Sequence, residues 1–161
     1  MALLRIALII LVAALAAPAI AQDKGMSNTN MEILRQKISA DKKLLIAANM
    51  SLTDVEAKAF WPIYDAYQKD LQQINERLGK TIVAYAEAYN QGKGSIPDAT
   101  AKKLLDEALA IEEAEVALKR SYIPKLNVAL PPAKVARYIQ MENKIRALVR
   151  YDLAANVPLV Q

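Results

Sequence analysis

From Phe60 to Tyr89 the chain carries apolar side chains at Phe60, Ile63, Tyr67, Leu71, Ile74, Leu78, Ile82, Tyr85 and Tyr89, in steps of three and four. The mean step is close to the ~3.6 residues of a helical turn and far from the two-residue repeat of a strand. The pattern predicts one continuous amphipathic helix from Asp54 to Asn90, roughly 50 Å long at about 1.5 Å per residue. Pro62 in its early turns and Gly79 near its middle are the expected kink positions. A rod of that length suits an elongated hairpin better than a compact globule.

The rest of the chain is organised around this rod. Met31, Leu34, Ile38, Leu45 and Ala48 recur at helical spacing with Arg35, Lys37, Lys42 and Lys43 between them, which predicts a preceding helix broken at Asn49-Met50-Ser51. Leu52-Thr53-Asp54-Val55-Glu56 then has the form of a capping box. The Thr53 hydroxyl accepts from the Glu56 amide, and the Glu56 carboxylate accepts from the amide of Thr53. Gln91 to Ser95 is the most loop-like stretch, and Ile96-Pro97-Asp98 starts a third helix. Its apolar stripe is Leu104, Ala108, Ile111, Ala114, Leu118, Tyr122 and Leu126, with Glu115 and Lys119 as an i, i+4 pair on the wet side and Pro124 expected to bend or end the helix. A fourth helix follows Leu130-Pro131-Pro132, with Val135, Tyr138, Met141, Ile145, Leu148 and Val149 on its apolar face. The expected fold is all-α, an elongated four-helix hairpin or bundle with one long central helix.

The N-terminus reads as an export signal. Arg5 precedes an apolar run from Ile6 to Ala17, and Pro18-Ala19-Ile20-Ala21 offers small residues to a signal peptidase. The run is shorter than the ~20 residues a spanning helix needs, so cleavage after Ala21 is expected. The organisation is then residues 1–21 signal peptide, 22–30 polar tail, 31–155 helical domain and 156–161 C-terminal tail, whose apolar residues are candidates to dock on the bundle. The chain has 21 Lys and Arg against 17 Asp and Glu, and Arg5 leaves with the signal, so the mature domain is only mildly basic.

Export permits disulfides, yet the sequence has no cysteine and no histidine. That removes the usual ligands of zinc, copper, haem and iron–sulfur sites, and the Cys–His and Ser–His nucleophile pairs. Four glycines cannot build a phosphate-cradling loop. The carboxylates Asp106, Glu107, Glu112, Glu113 and Glu115 lie among Lys102, Lys103, Lys119 and Arg120 and read as a solvated charged face rather than acid–base machinery. No enzymatic activity, cofactor, metal or nucleic-acid partner is expected.

The two helix junctions resemble each other when the chain is shifted by 78 residues. Asn49-Met50-Ser51-Leu52-Thr53 then lies over Asn127-Val128-Ala129-Leu130-Pro131, Phe60 over Tyr138, Ile63 over Met141 and Tyr67 over Ile145. Leu52-Thr53-x-x-Glu56 and Leu130-Pro131-x-x-Lys134 also resemble the two Leu-Thr-x-x-Gln motifs of the Spy/CpxP group of periplasmic proteins. The first copy has Glu56 in place of Gln, and the second keeps only Leu130. The resemblance implies a periplasmic, ATP-independent chaperone or an adaptor of an envelope sensor, forming a thin curved antiparallel homodimer.

Two features are candidates for partner binding. Phe60, Ile63 and Tyr67 belong to the packed stripe of the long helix, whereas Trp61 and Tyr64 lie off its centre line and are assigned a surface role. On the fourth helix Lys134, Arg137 and Lys144 flank one edge of the apolar face and Arg146 and Arg150 the other, as in a helix that binds acidic unfolded chains or an anionic membrane surface. Ordinary snorkelling over a core rim produces the same pattern. The opposite side, with Ala136, Gln140, Asn143 and Ala147, is uncharged and suggests a second close contact. The expected partners are unfolded or partly folded exported proteins, with a sensor protein or an anionic membrane as the alternative.

Overall fold

The computed structural model describes residues 40–160. The expected export signal and 22–30 tail, the first-helix positions Met31, Leu34 and Ile38, and Gln161 lie outside the described residues. Regular structure among the described residues is entirely helical: α1 (residues 40–50), α2 (Asp54–Gln91), α3 (Asp98–Ala129) and α4 (Pro132–Asn156). The fold is therefore all-α. It forms two compact units, one of Leu52–Ala136 with residues 158–160, the other joining the described residues up to Ser51 to Arg137–Val157.

In the first unit α2 and α3 pack antiparallel. The capping box is present as the sequence requires: Glu56 N donates to Thr53 Oγ1 at 3.3 Å, and Thr53 N donates to a Glu56 carboxylate oxygen at 2.8 Å. Phe60, Tyr64, Tyr67 and Ile74 of α2 are buried, as are Ile111, Tyr122 and Leu126 of α3. Tyr67 and Tyr122 meet edge to face, with ring centres 5.3 Å apart. The Tyr122 hydroxyl donates to Asp70 Oδ2 at 2.6 Å, which satisfies a polar atom that burial would otherwise penalise. Further along, Arg77 Nε and Glu107 Oε1 lie 3.0 Å apart across the same pair.

The hairpin turns at Gly92, whose N–H donates to Ala88 O at 3.0 Å. A Cβ at Gly92 would lie 1.7 Å from Ser95 O, so the turn accepts no side chain there. Pro62 and Pro124 are each carried inside a continuous helix. Of the two outcomes expected at Pro124, a bend or an end, the end is ruled out: α3 continues to Ala129. A proline inside a helix costs about 3 kcal/mol, but the turn beyond it buries Leu126 and Leu130, each contributing roughly 1.5–3 kcal/mol.

Three further expectations change. Glu115 is buried rather than on the wet side of α3, and Ala108 of the expected stripe is exposed. The tail places Leu159 and Val160 in solvent, and its docking contact is instead polar, the Tyr85 hydroxyl donating to Pro158 O at 2.6 Å.

In the second unit α1 continues through Asn49 and Met50, and the break expected at Asn49-Met50-Ser51 falls on Ser51, in a left-handed conformation (φ 47°). The two added residues bring Met50 into the core; Ile46, inside the expected helix, is also buried, while Ala48 is exposed. On α4 Tyr138 is fully buried, and the buried Glu142 carboxylate accepts from Lys42 Nζ at 2.8 Å.

Two stability tests follow from these details. Gly79 lies inside α2 with nothing within 4 Å of where a Cβ would stand. Gly79→Ala should therefore raise the urea unfolding free energy by about 0.5–1 kcal/mol, because the helix keeps its packing and the unfolded chain loses freedom. Burial, and then the bond to Asp70, push the Tyr122 phenol from its ordinary 10.0 up to about 12. The fold thus retains a proton that the unfolded chain releases, so stability present below pH 10 declines as pH rises toward 12. Tyr122→Phe should flatten that alkaline decline in thermal melts.

Candidate functional site

The first cluster of candidate residues meets at the helix junctions of the hairpin unit. Thr53 is the cap of α2. Leu130 is buried, ends α3 with its N–H donating to Leu126 O at 2.9 Å, and hands the chain to Pro131 and Pro132. Proline suits this place because the first turn of a helix has no intrahelical use for its N–H groups. α4 therefore begins beside the start of α2, and Lys134 Nζ donates to Glu56 Oε2 at 2.5 Å. That oxygen also accepts from Thr53 N. Glu56 and Lys134, which stand at the Gln position of the two Leu-Thr-x-x-Gln motifs, are thus bonded to each other across 78 residues.

Lys134, and behind it the Thr53 amide, hold the Glu56 carboxyl below its ordinary 4.5. The arrangement is structural, and it corrects the assignment of Lys134 to a free basic edge: the ammonium is half-buried and committed to Glu56. Tyr64 is also corrected. It is only 2% exposed, because at this point the buried arc of α2 runs through Phe60, Tyr64 and Tyr67, leaving Ile63 half-buried. Trp61 is half-buried with its ring edge-to-face on both Phe60 and Tyr64, so it caps an aromatic cluster.

The remaining candidates lie on α4 in the other unit. Arg137, Lys144 and Arg150 are exposed, and Arg146 is half-buried. Leu148, expected in the core, is 43% exposed, and Tyr151 is 77% exposed. At about 100° per residue, Arg137, Lys144, Leu148 and Tyr151 fall on one side of the helix, in steps of seven, four and three. The side is cationic toward the N-terminal end and apolar toward the C-terminal end. Arg146 and Arg150 point to the other flank. Tyr151 was not among the sequence candidates; its spacing of three from Leu148 and seven from Lys144 is the signal that places it with them.

Surface depressions on the hairpin are open. One of about 390 Å³ is lined by Glu112, Glu113, Val116, Ala117 and Arg120, all from α3. A second of about 430 Å³, lined by residues including Glu87, Gly92 and Thr100, lies at the turn. A depression lined by a single helix does not enclose a small molecule as ligand pockets do. Among the described residues no group of three or more acidic side chains is placed to hold a metal ion, and no helix is long and apolar enough to cross a membrane.

The Glu56 arrangement has a pH consequence. Its stabilisation is complete above the ordinary 4.5 and is lost as pH falls through the lower value held in the fold. The melting temperature should fall below about pH 5, and less steeply in Glu56→Gln. Parallel profiles for the two proteins would assign the acid sensitivity to other carboxylates.

Compared with protein-family models, curated proteins and solved structures, the chain has no significant match in any of the three.

Proposed function

We propose that this chain is an exported, periplasmic binding protein that holds unfolded or partly folded clients without ATP and without catalysing a reaction. The observation that carries the proposal is the exposed side of α4, where Arg137 and Lys144 are followed by Leu148 and Tyr151. Cationic groups speed the encounter with acidic chain segments at long range. Two apolar side chains then supply contacts too small in area for tight binding, which keeps release fast. The absence of histidine and cysteine and the openness of the depressions support binding over catalysis. The paired helix junctions support a relation to the Spy/CpxP group, and the N-terminal signal pattern supports the location.

The same cationic residues favour a second reading, an adaptor that docks on a membrane sensor or an anionic membrane surface. The two diverge in what they require of Leu148 and Tyr151. Under the chaperone reading the purified protein suppresses aggregation of a chemically denatured test protein at near-stoichiometric ratio, and Leu148→Ser with Tyr151→Ser weakens suppression several-fold while far-ultraviolet circular dichroism is unchanged. No suppression at a tenfold excess would remove this reading. Flotation with anionic vesicles that is abolished by Arg137→Glu with Lys144→Glu would establish the adaptor instead.

A further inference from the structure

Beyond Ile74, the last buried residue of α2, the helix carries a line of apolar side chains that are only half-buried. Leu78, Ile82, Tyr85 and Tyr89 follow in steps of four, three and four. At about 100° per residue they share roughly 60° of arc. The line ends in two tyrosines whose rings stack, with centres 6.0 Å apart and planes 19° from parallel.

This end of the line already holds a piece of chain. The Tyr85 hydroxyl donates to Pro158 O at 2.6 Å, from 73 residues away in sequence. Residues 158–160 lie in neither helix nor strand. Leu159 is 88% exposed and Val160 49%, so the side chains after the proline do not anchor the tail. The tyrosine holds main chain. Proline suits such a contact: its carbonyl accepts, it has no N–H to leave unsatisfied, and its ring fixes φ near about −65° before binding. A helix could not take its place, because helical carbonyls are spent within the helix. Aromatic surfaces take extended proline-containing segments for the same reason, since a preformed extended conformation has little freedom left to lose. The bond is also built for exchange. It is exposed, so releasing the tail replaces a carbonyl by water with little net change. Tethering is what favours the tail over a competitor, by giving it an effective concentration on the order of millimolar.

We propose that Tyr85 and Tyr89 form a binding site for an extended, proline-containing segment of another polypeptide, and that the chain's own tail at Pro158 occupies it as a displaceable internal ligand. The site uses no residue of the exposed α4 side and stands whether or not that side holds clients. Tyr85 supplies the donor for the partner's carbonyl, and the stacked ring of Tyr89 extends the platform by one turn. A partner gains access when the tail is drawn away.

The test uses a fluorescently labelled peptide, Asn-Val-Pro-Leu-Val, and the same peptide with alanine in place of proline, both read by fluorescence anisotropy. The unmodified chain should bind the proline peptide weakly, because its tail competes. Pro158→Gly with Leu159→Gly removes the tail's preset conformation at two exposed positions. That variant should bind the proline peptide about tenfold more tightly or better, as loss of a tethered competitor requires. Adding Tyr85→Phe, which deletes only the hydroxyl, should reverse most of the gain, and the alanine peptide should bind several-fold more weakly than the proline peptide. Circular dichroism melts show whether each variant is folded. The proposal is overturned by any of four results: no binding to the glycine-tail variant at millimolar peptide, equal affinity of that variant and the unmodified chain, an affinity that Tyr85→Phe leaves unchanged, or equal binding of the two peptides.

Discussion

A single carboxylate oxygen, Glu56 Oε2, accepts from the first amide of the α2 cap and from the Lys134 ammonium at the start of α4. An N-terminal helix turn presents amides with no intrahelical acceptor, and a half-buried ammonium has lost part of its hydration. One anion answers both. The start of the long helix and the start of the last one are therefore held together, and the turn at Leu130-Pro131 between α3 and α4 closes on a fixed point. Within the hairpin unit this fixes where α4 departs, and it withdraws Lys134 from any role in meeting partners.

The rest of the hairpin is held without disulfides, since the chain has no cysteine. Its interior is aromatic, and the tyrosines bring hydroxyls that must be satisfied. Tyr122 resolves this by donating to Asp70 while its ring edge packs against Tyr67. Lys125 lies 4.2 Å over the same ring, where the π face attracts a cation. Polar and apolar contacts at this level share the same side chains, so the pairing of α2 with α3 is specified in register as well as in direction.

Two outward surfaces remain, and their chemistry differs. The α4 side sets the cations Arg137 and Lys144 ahead of the apolar groups Leu148 and Tyr151. The outward side of α3 sets Leu105, Leu109, Val116 and Ile123 in one line, with Glu112 and Arg120 between them. Exposed apolar side chains are common singly, but four in one line along one face are not dispersed at random.

The all-helical fold, the length of α2 to within a residue, the Thr53 capping box and the start of α4 at Pro132 were legible in the sequence because each follows from local rules: periodicity, a cap that needs a Thr–Glu spacing of three, and proline's fit to a first turn. Packing decided what local rules leave open. Tyr64 and Glu115 turned inward and Leu148 outward, because a helix seated against one neighbour buries an arc whose centre drifts along its length, whereas a sequence stripe assumes a fixed centre. α3 ran through Pro124 because the contacts beyond it outweigh one lost hydrogen bond. The pairing of Glu56 with Lys134 was equally out of reach, since 78 residues of chain separate them and only the folded hairpin brings their charges together.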